Sequence, residues 1–146
     1  MKRLMILILC ITAIQFSAKA SDDIPIEFGQ LPQDARTFVG QYFSNTSIAL
    51  VKMDDDFFDK SYEVIFTNGS KIEFTRTGIW KEVDCRYSQL PKDIVPLQIQ
   101  NYVSSNYPNT NITKIEKESR GKVEVQLNNG LELTFDSRFN LIDIDN

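Results

Sequence analysis

Tyr62-Glu-Val-Ile-Phe-Thr-Asn-Gly-Ser-Lys-Ile-Glu-Phe74 reads as two strands folded back at Asn68-Gly69. Asn-Gly between alternating apolar residues is the strongest short hairpin signal, because a type I′ turn needs positive φ at both central positions. Tyr62, Val64, Phe66, Ile72 and Phe74 fall on one face, and Glu63, Thr67, Lys71, Glu73 and Thr75 on the other. A period of two buries the first face and wets the second. Ile65 breaks the rule, being apolar on the wet side. The stretch recurs as Val123-Glu-Val-Gln-Leu-Asn-Asn-Gly-Leu-Glu-Leu-Thr-Phe135, turning at Asn129-Gly130. There Val123, Val125, Leu127, Leu131, Leu133 and Phe135 alternate with polar residues throughout.

Upstream of each hairpin lies a helical pattern. Leu31-Pro32 opens the first, with Pro suited to a first turn. Ala35, Phe38, Val39 and Tyr42 then form one apolar stripe at i, i+3, i+4, i+7, ending near Phe43-Ser44-Asn45. Val95-Pro96, Ile99, Tyr102 and Val103 restate Leu31-Pro32, Ala35, Phe38 and Val39, and Tyr107-Pro108 closes the second pattern. Residues 47–54 suit a strand, Asp54 to Lys60 a loop, and Ile79 to Cys85 a further strand after Gly78. Ile112, Ile115, Leu141, Ile144 and Asp145 match Ile48, Val51, Trp80, Val83 and Asp84. The expected fold is α+β, a tandem repeat of one helix plus four antiparallel strands with the helices on one face of the sheet. The boundaries are a lead-in over 21–30 with a short edge strand, a first repeat over 31–85, a linker over 86–94 and a second repeat over 95–146. The two repeats stand side by side in one compact domain, in separate sheets or in one shared sheet, and the other sheet face is left to water.

Residues 1–20 read as a secretory signal peptide: Lys2-Arg3, an apolar run from Leu4 to Ile14, and Ala18-Lys19-Ala20 as an A-x-A-like cleavage site. The run is too short and wrongly flanked for a membrane span. A periplasmic or secreted location follows. Losing Lys2, Arg3 and Lys19 takes the net charge from −4 to −7, which argues against nucleic acid and anionic lipid as partners. Cys10 departs with the signal, so Cys85 has no cysteine to pair with.

The chain has no histidine, which excludes Ser-His-Asp and Cys-His triads and His-bearing metal sites. It also lacks a Gly-rich phosphate loop. No catalytic residue and no cofactor are expected. The leading expectation is a non-enzymatic module that binds an unidentified protein through the open sheet face. Its candidate contacts are Phe57, Phe58, Ile65 and Trp80, since exposed aromatics make good anchors. Counting from Val83 in an unbroken strand puts Trp80 on the open face beside Ile65; a plug at a strand end is the other placement. The alternative is a calcium-binding or calcium-responsive protein using Asp54, Asp55, Asp56 and Asp59, because hard oxygen ligands suit Ca²⁺. The EF-hand template fails there: Asp59 stands at the glycine position and Ile65 at the final glutamate position.

The ordered set Leu31-Pro32, Tyr62-Glu-Val, Asn68-Gly69, Glu73-Phe74, Gly78-x-Trp80, Val95-Pro96, Asn106-Tyr107-Pro108, Val123-Glu-Val and Asn129-Gly130 resembles the PepSY-like family of small secreted Bacteroidetes proteins, also described as beta-lactamase-inhibitor-like. The likeness spans about residues 26–146. It implies α/β repeats, a periplasmic or secreted site, no established enzyme activity, and a concave sheet that grips another protein as a protease- or hydrolase-inhibitor-like module. The second half departs from the pattern, with Phe139 and Leu141 where Gly78 and Trp80 stand in the first.

Overall fold

A computed structural model describes residues 23–56 and 58–146. The expected signal peptide and Phe57 lie outside the described residues. Among the described residues two α-helices, α1 (Gln33–Tyr42) and α2 (Leu97–Asn106), accompany nine strands: β1 (Asp23–Pro25), β2 (Ile48–Asp56), β3 (Asp59–Phe66), β4 (Lys71–Thr75), β5 (Trp80–Asp84), β6 (Ile112–Lys117), β7 (Val123–Leu127), β8 (Glu132–Phe135) and β9 (Leu141–Asp145). Pro32 and Pro96 stand just before the first helical residues, where a missing N–H costs nothing. Each helix closes on a backbone bond, Phe43 N–H to Val39 O at 2.8 Å and Tyr107 N–H to Val103 O at 2.7 Å.

The expected fold class needs correction. The strands are not two helix-plus-four-strand units set side by side. They form one continuous antiparallel sheet in the order β1 to β9, each strand beside its neighbours in sequence. The supposed boundary is itself a ladder: β5 pairs with β6 through Glu82↔Glu116, Val83↔Ile115 and Asp84↔Lys114. β1, outside the repeat, pairs with β2 and extends the same sheet. Sequence periodicity reports each strand's buried face but carries no information on which strands join, and backbone pairing erased the division.

One row of side chains crosses nearly the whole sheet. Val51, Val64, Ile72, Val83, Ile115, Val125 and Leu133 stand opposite one another in turn, and all are buried. Burying each aliphatic side chain contributes about 1.5–3 kcal/mol. Both helices cover this face. Phe38 of α1 meets Phe74 edge-on at 5.8 Å, Phe43 stacks on Phe66 at 4.9 Å, and Tyr102 of α2 meets Phe135 edge-on at 5.5 Å. Ala35 and Val39, like Ile99 and Val103, supply the buried helix residues.

The Asn-Gly signals located two turns correctly but not their type. Asn68 and Asn129 do not have positive φ; only the glycines do, at +85° and +94°. Gly69 N–H donates to Phe66 O, and Phe66 N–H to Ser70 O. This is a type I turn followed by a left-handed residue, the usual three-residue hairpin loop. Asn68 Oδ1 accepts from Ser70 N–H at 2.9 Å, a bond that holds the asparagine at ordinary φ. The β8–β9 turn is closed by the same bonds, from Phe139 N–H to Asp136 O and Asp136 N–H to Asn140 O. There the left-handed position is Phe139 at φ +62°. A non-glycine residue is strained in that region by about 1–2 kcal/mol. Its ring packs against the core.

Candidate functional site

The helix-free face shows what the apolar pattern could not. Lys52, Glu63, Glu73, Glu82, Glu116 and Glu124 stand directly opposite one another on successive strands, β2 to β7. Five glutamates thus form one transverse row, about 19 Å long at the usual strand spacing. Thr134 and Asp143 continue it onto β8 and β9. Like charges directly opposite in a sheet are destabilising.

Lysines interleave with part of the row. Lys52 Nζ lies 3.3 Å from Glu63 and 2.7 Å from Asp23. Lys81 reaches Glu73 at 3.1 Å. Glu82 is met by Lys71 at 3.8 Å and Lys114 at 3.3 Å, and Lys114 also contacts Glu116 at 3.3 Å. These contacts hold Lys52, Lys81 and Lys114 above the usual ammonium pKa, against the opposing pull of burial. Glu124 makes no ion pair among the described residues. Burial, then Glu132, Glu118 and Glu116, push its carboxyl above the ordinary range. The row is therefore neutralised toward β2 and less compensated toward β7, where Lys114 pairs with Glu116 and attracts Glu124 only from farther away.

The residues expected to make contacts fall in different places. Ile65 is half-buried on the open face, opposite Leu50 and Lys71. Trp80 is not on that face. A register shift between Glu73 and Phe74 sets Trp80 opposite Phe74, and its ring lies 6.1 Å from Phe38 of α1. Lys117 Nζ sits 3.7 Å from the same ring, a cation–π contact. The bulge adds one residue, which reverses the parity counted from Val83. Phe58 is 92% exposed at the β2–β3 tip.

The expected Asp54–Lys60 loop is instead a hairpin end, with Asp54–Asp56 in β2 and Asp59–Lys60 in β3. Strand alternation turns Asp55 away from Asp54 and Asp56, and Asp55 pairs with Lys60 at 3.9 Å. Among the described residues no group of three or more acidic, Cys or His side chains is placed to hold a metal ion. Cys85 is fully buried. Burial raises its thiol pKa despite hydrogen bonds from Ser70 and Ser88. Such a thiol is a poor nucleophile.

Sequence reasoning missed the glutamate row. Its signal was the symmetry of the turn: Glu63 and Glu73 are equidistant from Asn68, so a three-residue loop sets them opposite.

A family described as "Putative beta-lactamase-inhibitor-like, PepSY-like" matches residues 60–143, more than half of the chain. The protein belongs to the PepSY-like family. No curated protein matches it. This PepSY-like chain is similar to a putative periplasmic protein of the DUF2874 family from Bacteroides vulgatus, with 52% identity, a TM-score of 0.82, and 87% of this chain and 99% of that one covered. It is similar to a protein from Bacteroides thetaiotaomicron described as a putative calcium-regulated periplasmic protein, with 53% identity, a TM-score of 0.84 and the same coverage. A second Bacteroides vulgatus protein, described as periplasmic and of unknown function, shares 33% identity at a TM-score of 0.79, over 85% of this chain and 99% of that one. The PepSY-like protein shares their periplasmic location. No helix among the described residues is long and apolar enough to cross a membrane.

Proposed function

We propose that this PepSY-like protein is a non-enzymatic binding module whose open sheet face captures a protein presenting lysine or arginine. The carrying observation is the in-register glutamate row on β3 to β7. Each opposed pair costs about 0.2–1 kcal/mol. A sequence that keeps a local rule broken four times in succession, with no ion pair at Glu124 among the described residues, has the pattern of a functional surface. A cationic partner would offset the repulsion, and complementary charge would speed its approach. The family description, beta-lactamase-inhibitor-like, supports a finer reading, restraint of a hydrolase by the captured contact.

The test is capture from a periplasmic extract by the immobilised protein. Wild type should retain a basic protein that is released at about 0.5 M salt, where screening is within a few ångströms. The Glu116→Gln/Glu124→Gln variant should retain much less. Equal retention by the variant, or retention indifferent to salt, would refute the reading. The second reading, calcium regulation, is supported by the description of the Bacteroides thetaiotaomicron relative. Calorimetric titration tests it: no heat with millimolar Ca²⁺ ends it.

A further inference from the structure

The last strand of the sheet carries an inference that goes beyond the glutamate face. β9 has one strand neighbour among the described residues, β8, with Leu133↔Ile144 and Thr134↔Asp143 in register. Asp136 N–H bonds Asn140 O at 2.9 Å. By antiparallel alternation, Thr134 also turns its backbone groups toward β9 and Leu133 turns them away. Ile144, opposite Leu133, therefore aims its N–H and C=O outward. That N–H meets no strand among the described residues and donates instead to the Asp143 side chain, Oδ1, at 3.0 Å.

The molecule contains its own comparison. β5 meets β4 as β9 meets β8, with the register shift at Glu73/Phe74 in one and Thr134/Phe135 in the other. Val83 stands opposite Ile72 as Ile144 stands opposite Leu133. Yet Val83 is fully buried and Ile144 is 47% exposed. The difference is β6, which adds to the outer edge of β5 and sets Ile115 against Val83 and Lys114 against Asp84. On β9 the corresponding Ile144 and Asp145 have no strand on their outer side among the described residues, and on β8 Asp145 stands opposite another acid, Glu132.

We propose that the outer edge of β9 receives an extended segment of another protein, antiparallel, with an aliphatic side chain against Ile144 and lysine or arginine against Asp143 and Asp145. Charge selects this occupant over a second copy of the chain. Two β9 edges paired about Ile144 would set Asp143 of each against Asp145 of the other. The opposite sheet edge, β1, is three residues long and ends in Pro25, which has no N–H to give. Added strands gain affinity from main-chain bonds and specificity from alternate side chains.

The experiment follows backbone amide exchange of the whole protein with a blocked Lys-Ile-Lys-Ile-Lys peptide. At saturation the Ile144 amide should exchange roughly tenfold more slowly or better, and the Leu133 amide should be unchanged. A blocked Glu-Ile-Glu-Ile-Glu peptide should have no effect. The Asp143→Lys/Asp145→Lys variant should reverse that preference, and Ile144→Pro, which has no amide to follow at that position, should bind neither peptide in calorimetric titration. Binding should persist in Glu116→Gln/Glu124→Gln. An unaltered Ile144 amide, or equal slowing by the acidic peptide, overturns the edge proposal. If the lysine peptide binds without slowing Ile144 and is lost in Glu116→Gln/Glu124→Gln, the open face is the site and the edge proposal fails. If slowing at Ile144 persists in that variant while its capture of basic proteins equals wild type, the face reading fails and the edge stands.

Discussion

Replacing Glu124 by Gln should stabilise the protein, whereas the same change at Glu82 should not. Glu124 faces Glu116 directly, has Glu118 and Glu132 near it, and lacks an ion pair among the described residues. One opposed pair plus two neighbouring charges gives about 0.5–1 kcal/mol of repulsion at low salt. For a domain of this size that is about 2–4 °C in Tm. Glu82 also faces two glutamates, Glu73 and Glu116, but is met by two lysines. Its removal leaves Lys71 and Lys114 without that partner, so the gain is cancelled or reversed. The pH dependence has a definite sign. The folded-state pKa of Glu124 is raised, first by burial and then by its acidic neighbours. The stability linked to its proton is present below the ordinary glutamate pKa and is lost as pH rises through the raised value. The advantage of Gln should therefore be absent in acid, appear across that window and level off near neutrality. Thermal melts of wild type and both variants at several pH values, in low and high salt, measure this. Equal melting of wild type and Glu124→Gln near pH 7 in low salt would refute the reasoning, as would an advantage that grows in acid.

Three further expectations concern the scaffold. Gly78→Ala should cost about 2 kcal/mol or more, since φ is +90° and an added Cβ would lie 2.8 Å from Pro32 Cβ and 3.0 Å from Ala35 N. Gly130→Ala, with φ +94° and open space around it, should cost only about 1 kcal/mol of backbone strain, so urea melts should rank the two. Trp80→Ala should lose about 2 kcal/mol, less than a fully buried ring, because Trp80 is only half-buried between Phe38 and Lys117; a change under about 0.5 kcal/mol would contradict that placement. Cys85 should resist thiol reagents at pH 8 in the folded protein and react once urea exposes it, and fast labelling of the native state would contradict its burial.

The single-strand features were legible because they depend on neighbours in sequence. Val64, Phe66, Ile72 and Phe74 were placed inward by alternation alone, and Ala35, Phe38, Val39 and Tyr42 by helical spacing. What failed depended on pairs of strands. Whether the two repeats share one sheet was left open, and it is decided by the β5–β6 ladder, which no local pattern encodes. Trp80 was left between the open face and a strand-end plug, because one bulge residue breaks the parity counted from Val83. Asp54 to Asp56 look like a loop by composition, yet pairing with Ser61, Lys60 and Asp59 holds them as strand. The glutamate row was half legible: Glu63, Glu73 and Glu124 were assigned outward, but their alignment with Glu82 and Glu116 needed the register.

Because every strand lies beside the one made just before it, the sheet can grow by accretion from the first hairpin onward. Only two neighbouring pairs must wait for a helix between them: residues 26–47 separate β1 from β2, and residues 85–111 separate β5 from β6. Such a layout keeps contacting residues near in sequence, which favours rapid folding for an antiparallel protein. It also places the first and last strands at the two far ends of the sheet, so a pull on the chain would peel it open one strand at a time.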